Sequence, residues 1–337
     1  MRKWQNAGMP SRRGARVALR ACLCACLLWA IPAAAAPAGE RYALVISGAS
    51  GGPQYAEQYD AWRTAFVATL AKTFEYPADH VVVLAEEESS GVGKATRENV
   101  RQAMATLRAR ATKDDVVLVL LIGHGTAEND EAKFNLVGPD LSALEWADLV
   151  RPIAGRMVFI DTASGSFPFL RRLAGRGRVV LTANDSSAQQ YETVFPGFFI
   201  KAFEDGNADL DKNGKVSIWE AFVAASHEVR RWYQEHGQLA TERPLLDDTG
   251  NGVGREADSA GQDGPLAQVT YLQPDAPIAE TGDSELTSLL RRRAEIESEL
   301  ERLRASKPNL LPDEYEAALE KLLLELARLD QRVRAKT

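Results

Sequence analysis

The chain has 337 residues, of which 45% are hydrophobic and 26% are charged, and its net charge is −7. This length and apolar content are sufficient for one sizeable buried core with an appendage. The acidic balance makes nucleic acid and anionic lipid surfaces poor partners.

The first 36 residues have the composition of a secretory signal. They hold six basic side chains and no acidic one, followed by the apolar run ACLCACLLWAI and the small-residue segment PAAAA. We therefore predict a signal peptide over 1–36, cleaved near Ala36 or Ala38, and a secreted or periplasmic mature protein with no stable membrane span.

Cleavage of this signal would change the chemistry open to the mature chain. All the cysteines of the chain lie in the signal (Cys22, Cys24 and Cys26), so the predicted mature protein has no disulfide, no thiolate metal site and no cysteine nucleophile. Removing six basic residues from 40 leaves 34 against 47 acidic residues, which is a net charge of −13.

Beyond Arg41, apolar runs of strand length alternate with longer amphipathic segments. The runs are rich in β-branched residues and nearly continuous in apolarity, as in a parallel sheet covered on both faces: RYALVIS (41–47), HVVVLA (80–85), DVVLVLLIG (115–123), RMVFID (156–161) and RVVLTA (178–183). Helices are predicted near 57–74 and 96–110, the second with Thr96 as its N-cap. This order predicts a doubly wound α/β fold with a ligand crevice at the carboxyl ends of the strands.

The C-terminal part of the chain has a different pattern. A segment rich in Gly, Asp and Pro predicts a linker over 255–283, and 284–337 predicts two helices with apolar residues at three- and four-residue spacing, interrupted at Arg293. Pro308 and Pro312 end the first helix and begin the second, which gives a coiled-coil-like helical hairpin. The hairpin either stabilises the protein or forms a homo-oligomer or partner interface.

Polar, glycine-rich segments follow the first, third and fourth predicted strands. They are SGASGG, GHGT and DTASGS, and the last two bring His124 and Asp161 to one edge of the sheet. The first lacks the G-x-G-x-x-G spacing and contains Pro53, so a dinucleotide site is disfavoured.

In these two strand ends the sequence resembles the caspase-like and legumain-like cysteine peptidases. LLIGHGT resembles their His-Gly element and VFIDTASGS their acidic-Ala-Cys-x-Ser-Gly element, within a similar region of about 41–235. The resemblance implies a caspase-like three-layer sandwich with a mainly parallel sheet over 41–254. It also implies a crevice that binds a protein or peptide.

The nucleophile position of this motif carries no cysteine. If Asp161 takes the place of the family's acidic residue, Ala163 stands at the cysteine position, and a shift of one residue brings Thr162 or Ser164 there. One interpretation is a pseudoenzyme that acts in binding or scaffolding. The alternative is a hydrolase in which Ser164 or Ser166 is the nucleophile, His124 the base and Asp161 the orienting carboxylate.

The segment DLDKNGKVSIWE (209–220) matches the EF-hand calcium loop. A sharp turn at Gly214 and a set of oxygen ligands meet what calcium requires: Asp209, Asp211, Asn213, Lys215 through its carbonyl, Ser217 and Glu220. Helices are predicted on either side, near 197–205 and 217–235. We predict a structural calcium site with a dissociation constant of about 0.1–1 mM.

A second segment, DDTGNGVGREAD (247–258), matches the same pattern less well. Arg255 stands at position nine and Gly254 replaces the apolar residue at eight, so an Asx-rich turn explains the segment equally well. For the whole protein a third function stays open besides binding and hydrolysis, namely assembly at the cell envelope through 284–337.

Overall fold

The computed structural model describes residues 39–128, 131–204, 206–274, 283–307 and 310–336. The predicted signal peptide, 1–36, lies outside the described residues, as does part of the predicted linker, 275–282.

The centre of the fold is a seven-stranded, mainly parallel sheet. Its spatial order is β10-β9-β8-β4-β1-β2-β3, and β10 alone among these pairs antiparallel to its neighbour. The strands are β1 (Arg41–Ser47), β2 (Val81–Ala85), β3 (Gly93–Lys94), β4 (Val116–Ile122), β8 (Arg156–Asp161), β9 (Arg178–Thr182) and β10 (Leu245–Asp247). The five strands predicted from apolar runs are therefore confirmed within one residue.

Helices cover both faces of the sheet and make the three-layer α/β fold that the sequence predicts. They are α1 (Pro53–Ala68), α2 (Arg97–Arg110), α3 (Ala143–Val150), α4 (Phe167–Leu173), α5 (Phe195–Glu204) and α6 (Ile218–Glu235). Helices α1, α5 and α6 bury Phe66, Phe199 and Phe222 in one core, whereas α2, α3 and α4 bury Met104, Trp146 and Phe169 in the other. Alternate side chains of β4 enter the two cores, which explains its unbroken apolar sequence.

The helix starts follow local capping chemistry. Thr96 caps α2 as predicted, because its hydroxyl accepts a hydrogen bond from the Asn99 backbone N–H. Helix α1 begins four residues earlier than predicted because Pro53 fits the first turn, and it continues into a π-helical turn at Thr69–Thr73.

A small antiparallel sheet follows β4, and the strand pattern did not predict it. It consists of β5 (Gly125–Glu128), β6 (Glu131–Phe134) and β7 (Leu141–Ser142). Its strands have at most four residues, which is too short for a clear period of two. It holds β5 against the loop that follows β8.

The described part of the predicted linker packs against the α/β domain. Residues 265–268 form α7 (Pro265–Gln268), and Ala267 and Leu272 are fully buried. Arg156 Nη1 donates to the Val269 carbonyl at 2.7 Å, and the Tyr76 hydroxyl donates to the Leu272 carbonyl at 2.8 Å. The α/β domain thus extends to about residue 272.

The C-terminal segment forms the predicted helical hairpin. Helices α8 (Ser284–Ser306) and α9 (Pro312–Arg334) enclose a small core of Leu289, Ile296, Leu300, Leu329 and Val333. Arg293, which interrupts the apolar spacing, pairs with Asp330 of the opposite helix at 3.3 Å. No helix within the described ranges is both long and apolar enough to cross a membrane.

Candidate functional site

The candidate site lies where the chain reverses direction across the sheet. From β1 the chain moves outward to β2 and then returns to place β4 on the other side of β1, so the loops after β1 and β4 diverge. Ser50 follows β1, and His124 follows β4. We use the term strand-end site for Ser50, Tyr55, Tyr59, His124 and Glu192.

His124 is held by two tyrosines of α1. Its Nε2 lies 3.2 Å from the Tyr59 hydroxyl, and its ring meets the Tyr55 ring edge-on at 4.8 Å. Burial lowers the pKa of His124 below its usual value, and a hydrogen bond with the Ser50 backbone opposes this shift. The imidazole is therefore neutral at pH 7.

The turn at residues 162–166 uses its hydroxyls to hold the backbone. Ala163, one of the three residues that the resemblance allows at the cysteine position, is fully buried. Ser164 Oγ accepts from the Gly125 N–H at 3.2 Å and donates to the Gly125 carbonyl at 3.1 Å. Ser166 Oγ accepts from the Ala183 N–H at 3.1 Å. Both serines are at most 3% exposed, so neither hydroxyl faces a site that a substrate could reach.

Close packing reinforces this turn. A Cβ on Gly125 would lie 2.4 Å from the Ser164 carbonyl oxygen, and a Cβ on Gly165, where φ is +64°, would lie 3.0 Å from the Ala127 Cβ. Larger residues at either glycine would separate β5 from the turn. The Ser-Gly-Ser sequence is thus explained by conformation and packing.

Asp161 lies at the end of β8 and is buried under the same turn. Its Oδ1 accepts from the Ala163 N–H at 3.0 Å, while Oδ2 has no hydrogen-bond partner among the described residues. Burial raises the pKa of Asp161 to about 8, although the bond from Ala163 opposes the shift. The sequence analysis predicted that Asp161 orients His124, which would require a hydrogen bond between them. The hydrogen bond of the Asp161 carboxyl is instead made with Ala163 in the following turn.

Glu192 borders the site from the loop between β9 and α5. The next residue, Thr193, donates from Oγ1 to the Thr162 carbonyl, and Val194 N–H donates to Glu242 at 2.8 Å. Glu192 Oε1 is buried without a hydrogen-bond partner among the described residues, and burial raises the pKa of this carboxyl. Burial is also the main cause that raises the pKa of Tyr59, followed by the charge of Glu192.

A second buried acid supports this loop. Glu242 accepts hydrogen bonds from the Val194 and Phe195 N–H groups at the start of α5 and from the Tyr233 hydroxyl at 3.0 Å. Burial raises the pKa of Glu242 to about 7, opposed by these hydrogen bonds. Its position fixes the loop that carries Glu192.

The sequence analysis missed Tyr55, Tyr59, Glu192 and Glu242. The four-residue spacing of the tyrosines places them on one face of a helix, which was a usable signal. The two glutamates lie in irregular segments without any spacing pattern, and only the fold brings them to the site.

The described side chains of the strand-end site offer groups for binding, and none of them has the features of an activated nucleophile. His124 is a neutral base bonded to a tyrosine, and the pKa of that tyrosine is raised, which is the opposite of nucleophile activation. Aromatic rings and a carboxylate are suited to recognition.

The loop at 209–220 gathers three carboxylates. Ligand oxygens of Asp209, Asp211 and Glu220 lie within 4.8 Å of one another. The turn passes through Lys212 and Gly214 at φ of +59° and +85°, and Asp209 accepts hydrogen bonds from the Asn213 and Gly214 N–H groups. Helices α5 and α6 flank it, as predicted.

This spacing fits one calcium ion. Oxygen ligands at 2.3–2.6 Å from calcium on opposite sides are about 5 Å apart, in agreement with the separation of the three carboxylates. Ser217 has another use here, since its hydroxyl caps α6 by accepting from the Glu220 N–H at 3.2 Å. Asn213 Nδ2 donates to Asp211 and to the Tyr271 hydroxyl.

The second predicted loop forms an Asx-rich turn. Asp247 accepts from the Gly250 and Gly252 N–H groups at 2.7 and 2.6 Å, and Asn251 Oδ1 accepts from the Val253 N–H. Burial is the main cause that raises the pKa of Asp247, with a contribution from Asp263. The hydrogen bonds of this turn agree with the conformational explanation of 247–258.

A separate surface groove of about 310 Å³ lies at the β2–β3 edge of the sheet. It is lined by residues of β2, β3 and α2, including Leu84, Gly93 and Ala103. Because it contains none of the strand-end residues, we assign it no part in the candidate site.

No protein-family model matches the chain, and no curated protein is significantly similar to it. Similar solved structures include a Geobacter sulfurreducens protein (15% identity, 64% of this chain and 97% of that chain, TM-score 0.41) and the Drosophila initiator caspase Dronc (8%, 70% and 83%, TM-score 0.42). Raptor from Chaetomium thermophilum is similar at 11% identity over 86% of this chain and 35% of that chain, with a TM-score of 0.34. At these TM-scores the likenesses assign no function.

Proposed function

We propose that the protein is a secreted or periplasmic pseudopeptidase of the caspase-like and legumain-like type, which binds a polypeptide at its strand-end site without cleaving it. One observation carries this proposal. His124 is partly exposed after the central strand β4 and is hydrogen-bonded to Tyr59, whereas the candidates for the nucleophile position offer no free thiol or hydroxyl: Ala163 has none, and Ser164 and Ser166 are hydrogen-bonded to backbone groups.

Hydrolysis by a serine would need a different arrangement. The attacking hydroxyl must lose its proton to a base within hydrogen-bond reach, and it must face the substrate. Ser164 would have to break two buried hydrogen bonds to Gly125 before it could turn toward His124. The hydrolase alternative therefore has less support than binding.

Labelling with a fluorophosphonate tests the absence of an activated hydroxyl. Intact-mass analysis of wild type and His124→Ala is expected to show no adduct on either protein. An adduct on Ser164 or Ser166 that disappears in His124→Ala would contradict the proposal and favour the hydrolase.

We also propose that calcium stabilises the protein at 209–220. The separation of the Asp209, Asp211 and Glu220 oxygens supports this, and α6 leads from the loop into the core through Phe222. Calcium at the loop would therefore fix the start of a helix that covers one face of the sheet.

The helical hairpin supports a second function, assembly with another copy or with a partner. Leu311, Leu323 and Leu324 are 66%, 45% and 50% exposed at or on α9, outside the small hairpin core. We expect Leu323→Gln with Leu324→Gln to convert an oligomer into a monomer in light scattering. A wild-type protein that is already monomeric would contradict self-assembly.

A further inference from the structure

Acidic side chains border the strand-end site on two sides. Glu86, after β2, accepts a hydrogen bond from the Ser50 N–H at 3.1 Å, and Glu192, after β9, lies on the opposite side, near enough for its charge to raise the pKa of Tyr59. His124 between them is neutral because burial lowers its pKa. The site therefore has the charge that favours a cationic ligand.

Glu192 has an unmet requirement for a hydrogen-bond donor. Its Oε1 is buried and has no partner within the described part of the chain. A buried carboxylate oxygen without a donor is unfavourable, because it has lost water and gained nothing in return. Arg243, the basic residue that follows Glu242, pairs with Asp185 at 3.6 Å.

The protein holds Glu192 in place through its neighbours. Thr193 is bonded to the Thr162 carbonyl after β8, and Val194 is bonded to the buried Glu242. Because both anchors belong to the core, the Glu192 backbone is positioned before any ligand arrives. Such preorganisation reduces the entropy lost on binding.

Aromatic rings of α1 extend the site along the helix. Tyr55 and Tyr59 stack at 6.3 Å between centroids, and Tyr59 and Trp62 at 6.0 Å. Tyr55 and Trp62 are partly exposed, so ring surface is open to a ligand. Ring faces attract cations, and they also pack against aliphatic chains.

We propose that the strand-end site binds a lysine or arginine side chain of a polypeptide, with its charged group at Glu192 and its aliphatic stem against the partly exposed ring of Tyr55. This inference rests on the proposed function and adds the chemistry of the ligand. Glu192 as a whole is only partly buried, so its carboxylate can turn Oε1 toward an ammonium or guanidinium group that supplies the missing donor, and a charged hydrogen bond there is stronger than a neutral one.

Peptide mixtures with one fixed position test this chemistry. Four fluorescently labelled hexapeptide mixtures are compared, with lysine, norleucine, arginine or citrulline fixed at the third position. The other five positions are randomised over the common amino acids except cysteine. Fluorescence polarisation is expected to show about tenfold tighter binding of the lysine mixture than of the norleucine mixture, and of arginine than of citrulline. Added salt should weaken the preference.

Two variants that each remove one negative charge distinguish an effect of the strand-end site from an effect of the net charge of the protein. Glu192→Gln should abolish the lysine and arginine preference, whereas Glu204→Gln, at the far end of α5, should keep it. Tyr55→Leu should weaken the cationic mixtures more than the norleucine mixture, because it removes a ring face and retains apolar contact.

The outcomes distinguish the two proposals. Equal binding of all four mixtures, or an unchanged preference in Glu192→Gln, would overturn the cationic ligand and leave polypeptide binding intact. Binding of no mixture would contradict the proposed function itself, and with it this inference. A larger preference for arginine than for lysine, or the reverse, identifies which of the two side chains fits.

Discussion

The turn at 162–166 is buried and bonds its hydroxyls to neighbouring backbone, whereas the loop at 209–220 exposes much of its surface and gathers three carboxylates. Both segments match a functional pattern in the sequence. In the turn, the hydroxyls are satisfied by backbone groups, whereas in the loop three carboxylates of like charge lie close together even though they also accept backbone hydrogen bonds. Like charges held together favour a cation, and satisfied hydroxyls favour no further chemistry.

This difference shows what a sequence motif leaves undecided. A serine after a buried strand can be a nucleophile or a backbone clamp, and the choice depends on the partner that its Oγ reaches. For Ser164 that partner is Gly125, which belongs to the His-Gly element itself. The two segments that resemble the peptidase elements thus meet, and their contact is structural.

The largest expected effect concerns the stability of the protein and depends on Asp161, which is buried under the turn at 162–166. The pKa of this carboxyl is raised in the folded protein to about 8, so its contribution to stability is fully present at low pH and is lost as pH rises from about 4 toward 8. The loss approaches about 1.4 kcal/mol for each pH unit in that window. Urea unfolding of wild type and Asp161→Asn should show a difference that grows with pH and levels off above 8.

The comparison with Asp161→Asn isolates this group from all others that titrate. The amide carries no charge at any pH, so it removes the proton release and keeps the shape. A difference in unfolding free energy that is the same at pH 4, 6 and 8 would show that Asp161 is not held protonated by burial.

The second effect concerns the open loop. Calcium at a hundredfold excess over its dissociation constant should stabilise the protein by about 2.7 kcal/mol, which raises the melting temperature by about 4 °C for a chain of this size. Thermal unfolding with calcium and with chelator measures the shift. Asp209→Ala should remove it, because it deletes one of the three clustered carboxylates.

A matched variant on α6 guards against a general charge effect. Glu235→Gln, at the far end of the same helix, should leave the calcium shift unchanged. If wild type shows no shift, or if Asp209→Ala retains it, the loop does not bind calcium and its carboxylates serve only the turn.

The sequence predicted the fold well and the site in part, for different physical reasons. Strands such as β4 are buried on both faces, so apolarity alone identifies them, and Thr96 identifies the start of α2 through its own side chain. Tyr59 and Glu192 are separated by 133 positions, and the charge of Glu192 affects Tyr59 only because the fold brings α1 and the β9–α5 loop to the same end of the sheet. No local sequence pattern indicates such proximity.

The third effect tests whether the Ser164 hydroxyl stabilises the fold through its hydrogen bonds to Gly125. Ser164→Ala leaves the N–H and carbonyl of Gly125 without their partner, and an unsatisfied buried group reduces the free energy of unfolding by about 2 kcal/mol. Urea unfolding measures the change, with the exposed Ser288→Ala as control. Unchanged stability in Ser164→Ala would reopen the hydrolase alternative, because a hydroxyl that the fold does not need is free for chemistry.

The smallest effect separates capping from metal binding within the calcium loop. Ser217→Ala removes the hydroxyl that caps α6 and should reduce stability by about 1 kcal/mol. Because this cap is made by protein groups alone, the reduction should be equal in calcium and in chelator. If the calcium-dependent shift in melting temperature shrinks instead, Ser217 is a calcium ligand as the EF-hand spacing predicts. The Ser217 hydroxyl would then bind the ion and give up its hydrogen bond to the backbone, unlike the serine hydroxyls of the turn at 162–166.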